Sequence, residues 1–185
     1  MTRSRSATVA AALVLSALAL SACGSSEKKG PRFTCPDVLM ERTTADVVVF
    51  RDGPGRDLTD VMYEAQLTGF TGDCERAKNA TSVTVTIQPT FRVNRGPAWA
   101  GGTPALAYFT AIPAYYPSPD AKKVYSVPFT FPPGTATSVV LRDEKVFVDI
   151  PIPADGSKPA PVYLGFQLTA DQLDYNRKTG GPQGR

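Results

Sequence analysis

Two groups of carboxylates are the residues of this sequence whose types and spacing could support chemistry. The first group lies at turns in the first part of the chain and comprises Asp52, Asp57, Asp60 and Asp73. Carboxylates clustered at one end of a β fold suit Ca²⁺, but their spacing does not match an EF-hand loop, and aspartate in turns forms local hydrogen bonds. We therefore expect no metal site here.

The second group, Asp143, Glu144 and Asp149, has the residue types of an acid–base pair. Adjacent residues on a strand face opposite ways, and a charged hairpin tip explains the group without catalysis. The sequence contains no histidine, which removes every mechanism with a histidine base and the commonest metal ligand. We expect no enzyme and no cofactor; a hydrolase, which needs a cleft with converging polar groups, ranks third among the hypotheses.

Four aromatic residues lie in or beside a loop rich in proline and glycine: Trp99, Tyr108, Tyr115 and Tyr116. Such side chains stack on sugar rings or fill a pocket on a protein partner. The alternative interpretation is that the tyrosines cap a β core and Trp99 folds over its end. We take the exposed side of Leu106–Tyr116, with Trp99, as the predicted partner-binding surface.

The elements that position these residues are predicted to be strands. Seventeen prolines, fifteen glycines and the absence of a long helical period favour strands and turns. Period-2 alternation or β-branched composition predicts strands at 45–51, 61–71, 82–94, 124–131 and 161–168. Residues 106–116 are apolar with little alternation, which predicts a strand that is buried on both faces or has one face in an interface. Residues 138–141 and 146–152 flank four charged residues and form either two short strands or one with an irregular middle. Pro89 predicts an edge position, or a bend at which the strand that contains it crosses between sheets.

The one predicted helix begins after Thr169 and runs to about Arg177. Thr169 and Gln172 have the spacing of a capping box, and Leu168 and Leu173 stand at the positions of a hydrophobic staple. Seven or eight strands followed by a short helix favour a mainly β, immunoglobulin- or fibronectin-like antiparallel sandwich over residues 35–177. A small barrel and an open α+β sheet are the alternatives, and residues 178–185 are expected to form a disordered tail.

The N-terminal segment has the pattern of a secretory signal. Arg3 and Arg5 precede an uncharged apolar run, Ala7 to Ala22, that is shorter than the roughly 20 residues of an untilted membrane span. Small residues then precede a cysteine in Leu20-Ser21-Ala22-Cys23. These four residues resemble the lipobox of bacterial lipoproteins at every position.

The lipobox resemblance implies that residues 1–22 are removed and that Cys23 becomes an acylated N-terminus attached to the bilayer. Two or three acyl chains anchor a protein durably, whereas one alone is marginal. Gly24 is not the aspartate that retains many such proteins at the inner membrane, which favours the outer membrane and a periplasmic domain. A host with a single membrane would instead display the domain on its outer surface. Residues 23–34 are mostly polar, which predicts a lipidated, flexible tether.

Acylation of Cys23 leaves two cysteines, Cys35 and Cys74, in an oxidising compartment. Their even number predicts one disulfide. A redox-active thiol is the alternative, but the chain lacks a C-x-x-C pair.

Several short motifs of the C-terminal part also carry a resemblance. They are Gly165-Phe166-Gln167-Leu168-Thr169 with Gln172-Leu173 and Tyr175-Asn176-Arg177, taken with Cys35-Pro36 and Phe131-Pro132-Pro133-Gly134. Together they look similar to a group of small lipoproteins from alphaproteobacteria. The resemblance implies attachment to the outer membrane and a non-enzymatic role in the envelope, and it assigns no catalytic residue.

Charge and composition limit the partners. Residues 1–22 contain two of the 20 basic residues and none of the 17 acidic ones, so the rest of the chain has a formal charge of only +1. A chain without a field of one sign is not expected to bind nucleic acid. The leading hypothesis is a non-catalytic envelope lipoprotein that binds another envelope protein, and the alternative is a glycan- or peptidoglycan-binding module that uses the same aromatic residues.

Overall fold

The structure is a computed structural model that describes residues 33–78, 81–134 and 136–180. Within these ranges nine strands form two sheets, and one helix follows the last strand. The strands are β1 (Val38–Met40), β2 (Asp46–Phe50), β3 (Val61–Arg76), β4 (Ser82–Arg95), β5 (Ala105–Ala111), β6 (Lys122–Pro128), β7 (Ser138–Arg142), β8 (Val146–Pro151) and β9 (Val162–Phe166). The helix α1 spans Ala170–Thr179.

One sheet has the order β1-β9-β5-β6, and the other has the order β2-β3-β4-β7, with β8 also paired to β4. Every pair is antiparallel except β1 with β9. The inner faces of the two sheets supply one apolar core. The mainly β sandwich-like fold with a short C-terminal helix is thus confirmed, whereas an immunoglobulin- or fibronectin-like strand order remains a prediction.

Period-2 alternation in β4 shows how the sequence produces the core. Val83, Ile87, Phe91 and Val93 point inward and are fully buried, while the threonines between them face outward. Burial of such apolar side chains contributes about 25 cal/mol per Å². Pairing with β3 over thirteen residue pairs makes β4 the central strand of its sheet.

Several strand predictions differ from the structure. The strand predicted at 61–71 continues to Arg76, and the one predicted at 124–131 spans Lys122–Pro128. The three-residue strand β1 was not predicted, because it pairs parallel with β9 and is too short to show alternation. The predicted strand 106–116 ends at Ala111, since a 3-10 turn starts at Pro113. It also alternates more than expected: Leu106, Tyr108 and Thr110 are buried, and the residues between them are half-buried or exposed.

Pro89 lies in a central strand that stays in one sheet, so the predictions of an edge position and of a crossing between sheets were both wrong. Strands β8 and β7 pair with successive halves of β4 in the same direction, and the break between them falls beside Pro89. The N–H of Asp143 donates to the carbonyl of Pro89 (3.2 Å). In a strand the N–H and C=O groups of one residue point to the same side. The side of Pro89 that lacks an N–H therefore faces the break between β7 and β8, where no regular ladder bond is lost.

Residues 143–145 are therefore an irregular middle within one strand path. The interpretation of Asp143 and Glu144 as a charged hairpin tip was wrong. Such a break re-aims a side chain, as a β-bulge does. The carboxylate of Asp143 turns toward the other sheet, where it meets Tyr108.

The helix and the disulfide follow the predictions closely. Thr169 and Gln172 form the capping box, and α1 continues two residues beyond Arg177, through Lys178 and Thr179. Cys35 and Cys74 form a disulfide with a Cα–Cα distance of 6.1 Å.

The bridge joins the segment before β1 in one sheet to β3 in the other. Because β1 and β3 belong to different sheets, the disulfide links the two layers of the sandwich at the start of the domain.

Several predictions fall outside the described residues. The signal segment 1–22, Cys23, most of the tether and residues 181–185 of the predicted tail lie there. Among the residues that the structure describes, no helix is long and apolar enough to span a membrane.

Candidate partner-binding site

The four predicted aromatic residues do not form one surface. Tyr108 is fully buried, Trp99 and Tyr115 are half-buried, and Tyr116 is 83% exposed. Trp99 lies near the start of β5 and the two adjacent tyrosines follow its end, so about 20 Å of strand separates them. We name the two ends of the sandwich accordingly. The Trp99 end holds Trp99 and the start of β3; the disulfide end holds the Cys35–Cys74 bridge and the loop 112–121.

Trp99 is part of the core at its own end. Its ring lies 4.9 Å from that of Phe131 and 6.2 Å from those of Tyr63 and Phe129, in edge-to-face and stacked arrangements. Aromatic pairs of this kind contribute about 0.5–1.5 kcal/mol beyond area burial. The structure thus favours the interpretation that Trp99 folds over the end of the sandwich.

Tyr108 anchors the irregular segment between β7 and β8. Its hydroxyl donates to the Oδ2 atom of Asp143 (2.6 Å), and its ring stacks on Tyr125 with centroids 5.1 Å apart. The Nε2 atom of Gln88 donates to the carbonyl of Asp143 (2.9 Å). Burial, and then the hydrogen bond to Asp143, raises the pKa of Tyr108 well above its ordinary value. The phenol stays protonated and structural.

The loop 112–121 presents the two remaining tyrosines. The N–H of Ile112 donates to the carbonyl of Ala121 (2.8 Å) and closes the loop at its base. Two 3-10 turns, each with proline in its first positions, shape the chain between these residues. Tyr115 turns inward, where burial raises its pKa, and Tyr116 points into solvent.

A cavity of about 540 Å³ opens beside Tyr115 at the disulfide end. It lies between β5 and the loop on one side and β8 on the other. Ile112, Val148 and the buried Thr110 form its floor, and its rim is polar: Ser118, Asp120, Lys123, Asp149 and Ser82. A second recess of about 510 Å³ adjoins it through Lys123 and reaches Tyr125 and Asp143. Together they form a cleft along the open side of the sandwich, which we call the β6–β8 cleft.

Two unpaired strand edges border the β6–β8 cleft. Among the described strands, β6 pairs only with β5 and β8 only with β4. In an antiparallel pair, the N–H and C=O groups of successive residues point alternately toward the paired strand and away from it. The N–H and C=O groups of Val124 and Ser126 therefore point away from β5, and those of Phe147 and Asp149 point away from β4. Pro128 and Pro151 take the matching positions at the strand ends, where a missing N–H costs no ladder bond.

The sequence did not single out Val124, which is 55% exposed on the outer side of β6. The available signal was the alternation over 124–131, which places Val124 on the face opposite to Tyr125 and Val127. The cavity rim gave no signal, since Asp120 and Asp149 are 29 positions apart in the chain.

The carboxylates predicted at turns have local roles, and Asp73 lies inside β3 (Val61–Arg76) instead of at a turn, so that placement was wrong. Asp57 caps a 3-10 turn and accepts from the N–H (2.8 Å) and the hydroxyl (2.6 Å) of Thr59, and these bonds lower its pKa. Asp60, which is buried, pairs with Arg51 at 2.5 Å. In the described part of the chain, no three cysteine, histidine, aspartate or glutamate side chains lie close enough together to hold a metal ion.

Comparison of the chain with protein-family models, with curated proteins and with solved structures gives no match. The site is therefore interpreted from its own geometry. An exposed tyrosine, an adjacent cavity with an apolar floor and a polar rim, and free strand edges are features of a surface that binds a partner.

Proposed function

We propose that this chain is an exported, lipid-anchored β-sandwich that binds another protein of the cell envelope through its disulfide end. Acylated Cys23 holds it in the bilayer, with the outer membrane and a periplasmic domain as the expected location. The bound protein contacts Tyr116 and inserts a side chain into the cavity beside Tyr115.

The single observation that carries the binding proposal is the exposure of Tyr116. At 83% exposed, it is an aromatic side chain without a packing role, and it stands on a loop whose base is fixed by hydrogen bonds. Tyrosine is enriched at the energetic centres of interfaces because it buries a large rigid area at low entropic cost. The cavity beside Tyr115 can receive a side chain of the bound protein.

The attachment proposal is supported by the lipobox residues and by the disulfide. The bond between Cys35 and Cys74 is a typical feature of proteins in oxidising compartments. Acylation at the lipobox also accounts for the third cysteine, Cys23; the alternative is an ordinary cysteine in, or just after, a conventionally cleaved signal segment.

The test is capture of the partner in intact cells. A Tyr116→Ala variant should lose the captured protein at least tenfold, because interface tyrosines of this kind contribute about 2 kcal/mol. Val140→Ala is the matched control, since Val140 is 66% exposed near the Trp99 end. Both variants should keep the parental melting temperature. Equal capture by parent and Tyr116→Ala would refute the proposed surface.

Glycan binding is the second candidate, and a different residue favours it. Phe147 is 61% exposed on the outer face of β8, directly across from Thr86 on β4. An exposed ring among hydroxyl groups is a surface on which a sugar ring can stack. Sedimentation with purified cell wall separates the candidates: glycan binding predicts loss with Phe147→Ala and no loss with Tyr116→Ala.

A further inference from the structure

The disulfide fixes where the polypeptide enters the domain. Cys35 is bonded to β3, and the next residues continue directly into β1, where Val38 pairs with Val162. The N–H of Val162 donates to the carbonyl of Asp37 (2.9 Å), and Lys158 pairs with the Asp37 carboxylate at 2.6 Å. The entry point is therefore held by a covalent bond, a ladder bond and an ion pair.

The entry point and the candidate site lie at the same end of the sandwich. Strand β9 pairs with β1 at Val162 and with β5 at the adjacent Tyr163, whose partner is Ala111. Ala111 is the last residue of β5, so the loop that carries Tyr116 starts at the level where β1 begins.

The length of chain before Cys35 limits how far this end can move from the anchor. Cys35 lies twelve positions after Cys23. A fully extended chain of that length spans about 43 Å, and a random coil of that length spans about 20 Å. The strand β4, with 14 residues, adds about 45 Å before the Trp99 end is reached. The disulfide end can therefore lie at most about 43 Å from the surface that holds the acyl chains, whereas the Trp99 end can lie about 45 Å farther away.

From these observations we infer that the partner is a protein held in or on the same membrane as the acyl chains of Cys23. This inference rests on the proposed function and specifies its partner. A membrane-held partner meets the disulfide end at the high effective concentration that a short tether provides. A soluble envelope protein gains nothing from this arrangement.

The experiment uses the full lipidated chain in cells, with a photoreactive phenylalanine at position 116. A matched chain carries it at position 58, since Leu58 is 64% exposed near the start of β3 at the Trp99 end. A protease site between Lys29 and Gly30 allows the domain to be cut from its anchor after irradiation. We expect a protein adduct at position 116, at least tenfold weaker at position 58, that remains in the membrane pellet after cleavage.

A second arm varies the tether. Flexible Gly/Ser insertions at the same place, which lengthen the tether about fourfold, should lower the adduct yield about eightfold, because effective concentration falls as roughly the −3/2 power of length. Release of the adduct into the soluble fraction after cleavage, or a yield independent of tether length, would overturn the inference while leaving partner binding intact. Absence of any protein adduct at position 116 would instead refute the proposed function, and with it the inference.

Discussion

Removing the hydroxyl of Tyr108 tests whether the irregular segment between β7 and β8 is held to the opposite sheet. In Tyr108→Phe the hydrogen bond to Asp143 (2.6 Å) is lost, while the ring keeps its stack on Tyr125. A hydrogen bond to a charged group contributes about 1.5–3 kcal/mol. Asp143 is half-buried, so water replaces part of the loss, and we expect a free energy of unfolding lower by about 2 kcal/mol.

The same variant has a distinctive pH dependence. A phenol whose pKa is raised on folding stabilises the protein fully below the ordinary value of 10.0 and loses that contribution as the pH rises above it. At pH 11 the parent therefore loses about 1.4 kcal/mol through Tyr108, whereas the variant has no such phenol. The difference between the two proteins should shrink from about 2 to about 0.6 kcal/mol.

The assay is urea unfolding at pH 7 and at pH 11, with Cys23→Ser in every protein to remove the lipid and the free thiol. Tyr116→Phe is the control, because it deletes the same hydroxyl from a side chain that is 83% exposed. Equal stability of Tyr108→Phe and the parent at pH 7 would refute the structural role of this hydrogen bond. An undiminished difference at pH 11 would refute the assignment of the raised pKa.

Three further substitutions test the packing of the sandwich by the same unfolding assay. Cys74→Ser opens the disulfide, and for a separation of 39 residues the loop-entropy relation predicts a loss of about 4 kcal/mol; a loss under 1 kcal/mol would contradict it. Asn176→Ala removes hydrogen bonds of 3.0 and 2.7 Å to two backbone carbonyls and should lower the free energy of unfolding by about 2–3 kcal/mol. The control Asn94→Ala, at an exposed position, should leave it unchanged. Gly96→Ala places a Cβ against the carbonyl of Val61 and should lower the free energy of unfolding by about 1–3 kcal/mol. Gly69→Ala is the control, because a Cβ at Gly69 meets open space and should cause no such loss.

Alternation along the chain predicted the strands that are half-buried, because one buried face imposes a period of two on the sequence. In β4 this period runs without interruption from Val83 to Val93. Alternation could not predict β1, which has only three residues. It also could not place the end of the strand predicted at 106–116, because the structure has a 3-10 turn from Pro113.

The candidate site was harder to predict, because loops and irregular segments have no period. Trp99 and Tyr116 both lie in loops that contain proline. Trp99 nevertheless packs on Phe131, whereas Tyr116 is exposed. Asp143 faces inward only because the strand path breaks beside Pro89. The cavity joins residues from β5, β8 and the loop 112–121, and no local pattern brings such distant residues together.

Metabolic labelling with an alkyne analogue of palmitate tests the central claim most directly. The account predicts that the parent protein is labelled and pellets with membranes, and that Cys23→Ala is neither labelled nor retained in the membrane fraction. An unlabelled parent protein, or a Cys23→Ala variant that stays in the membrane fraction as the parent does, would contradict a lipid-anchored envelope domain.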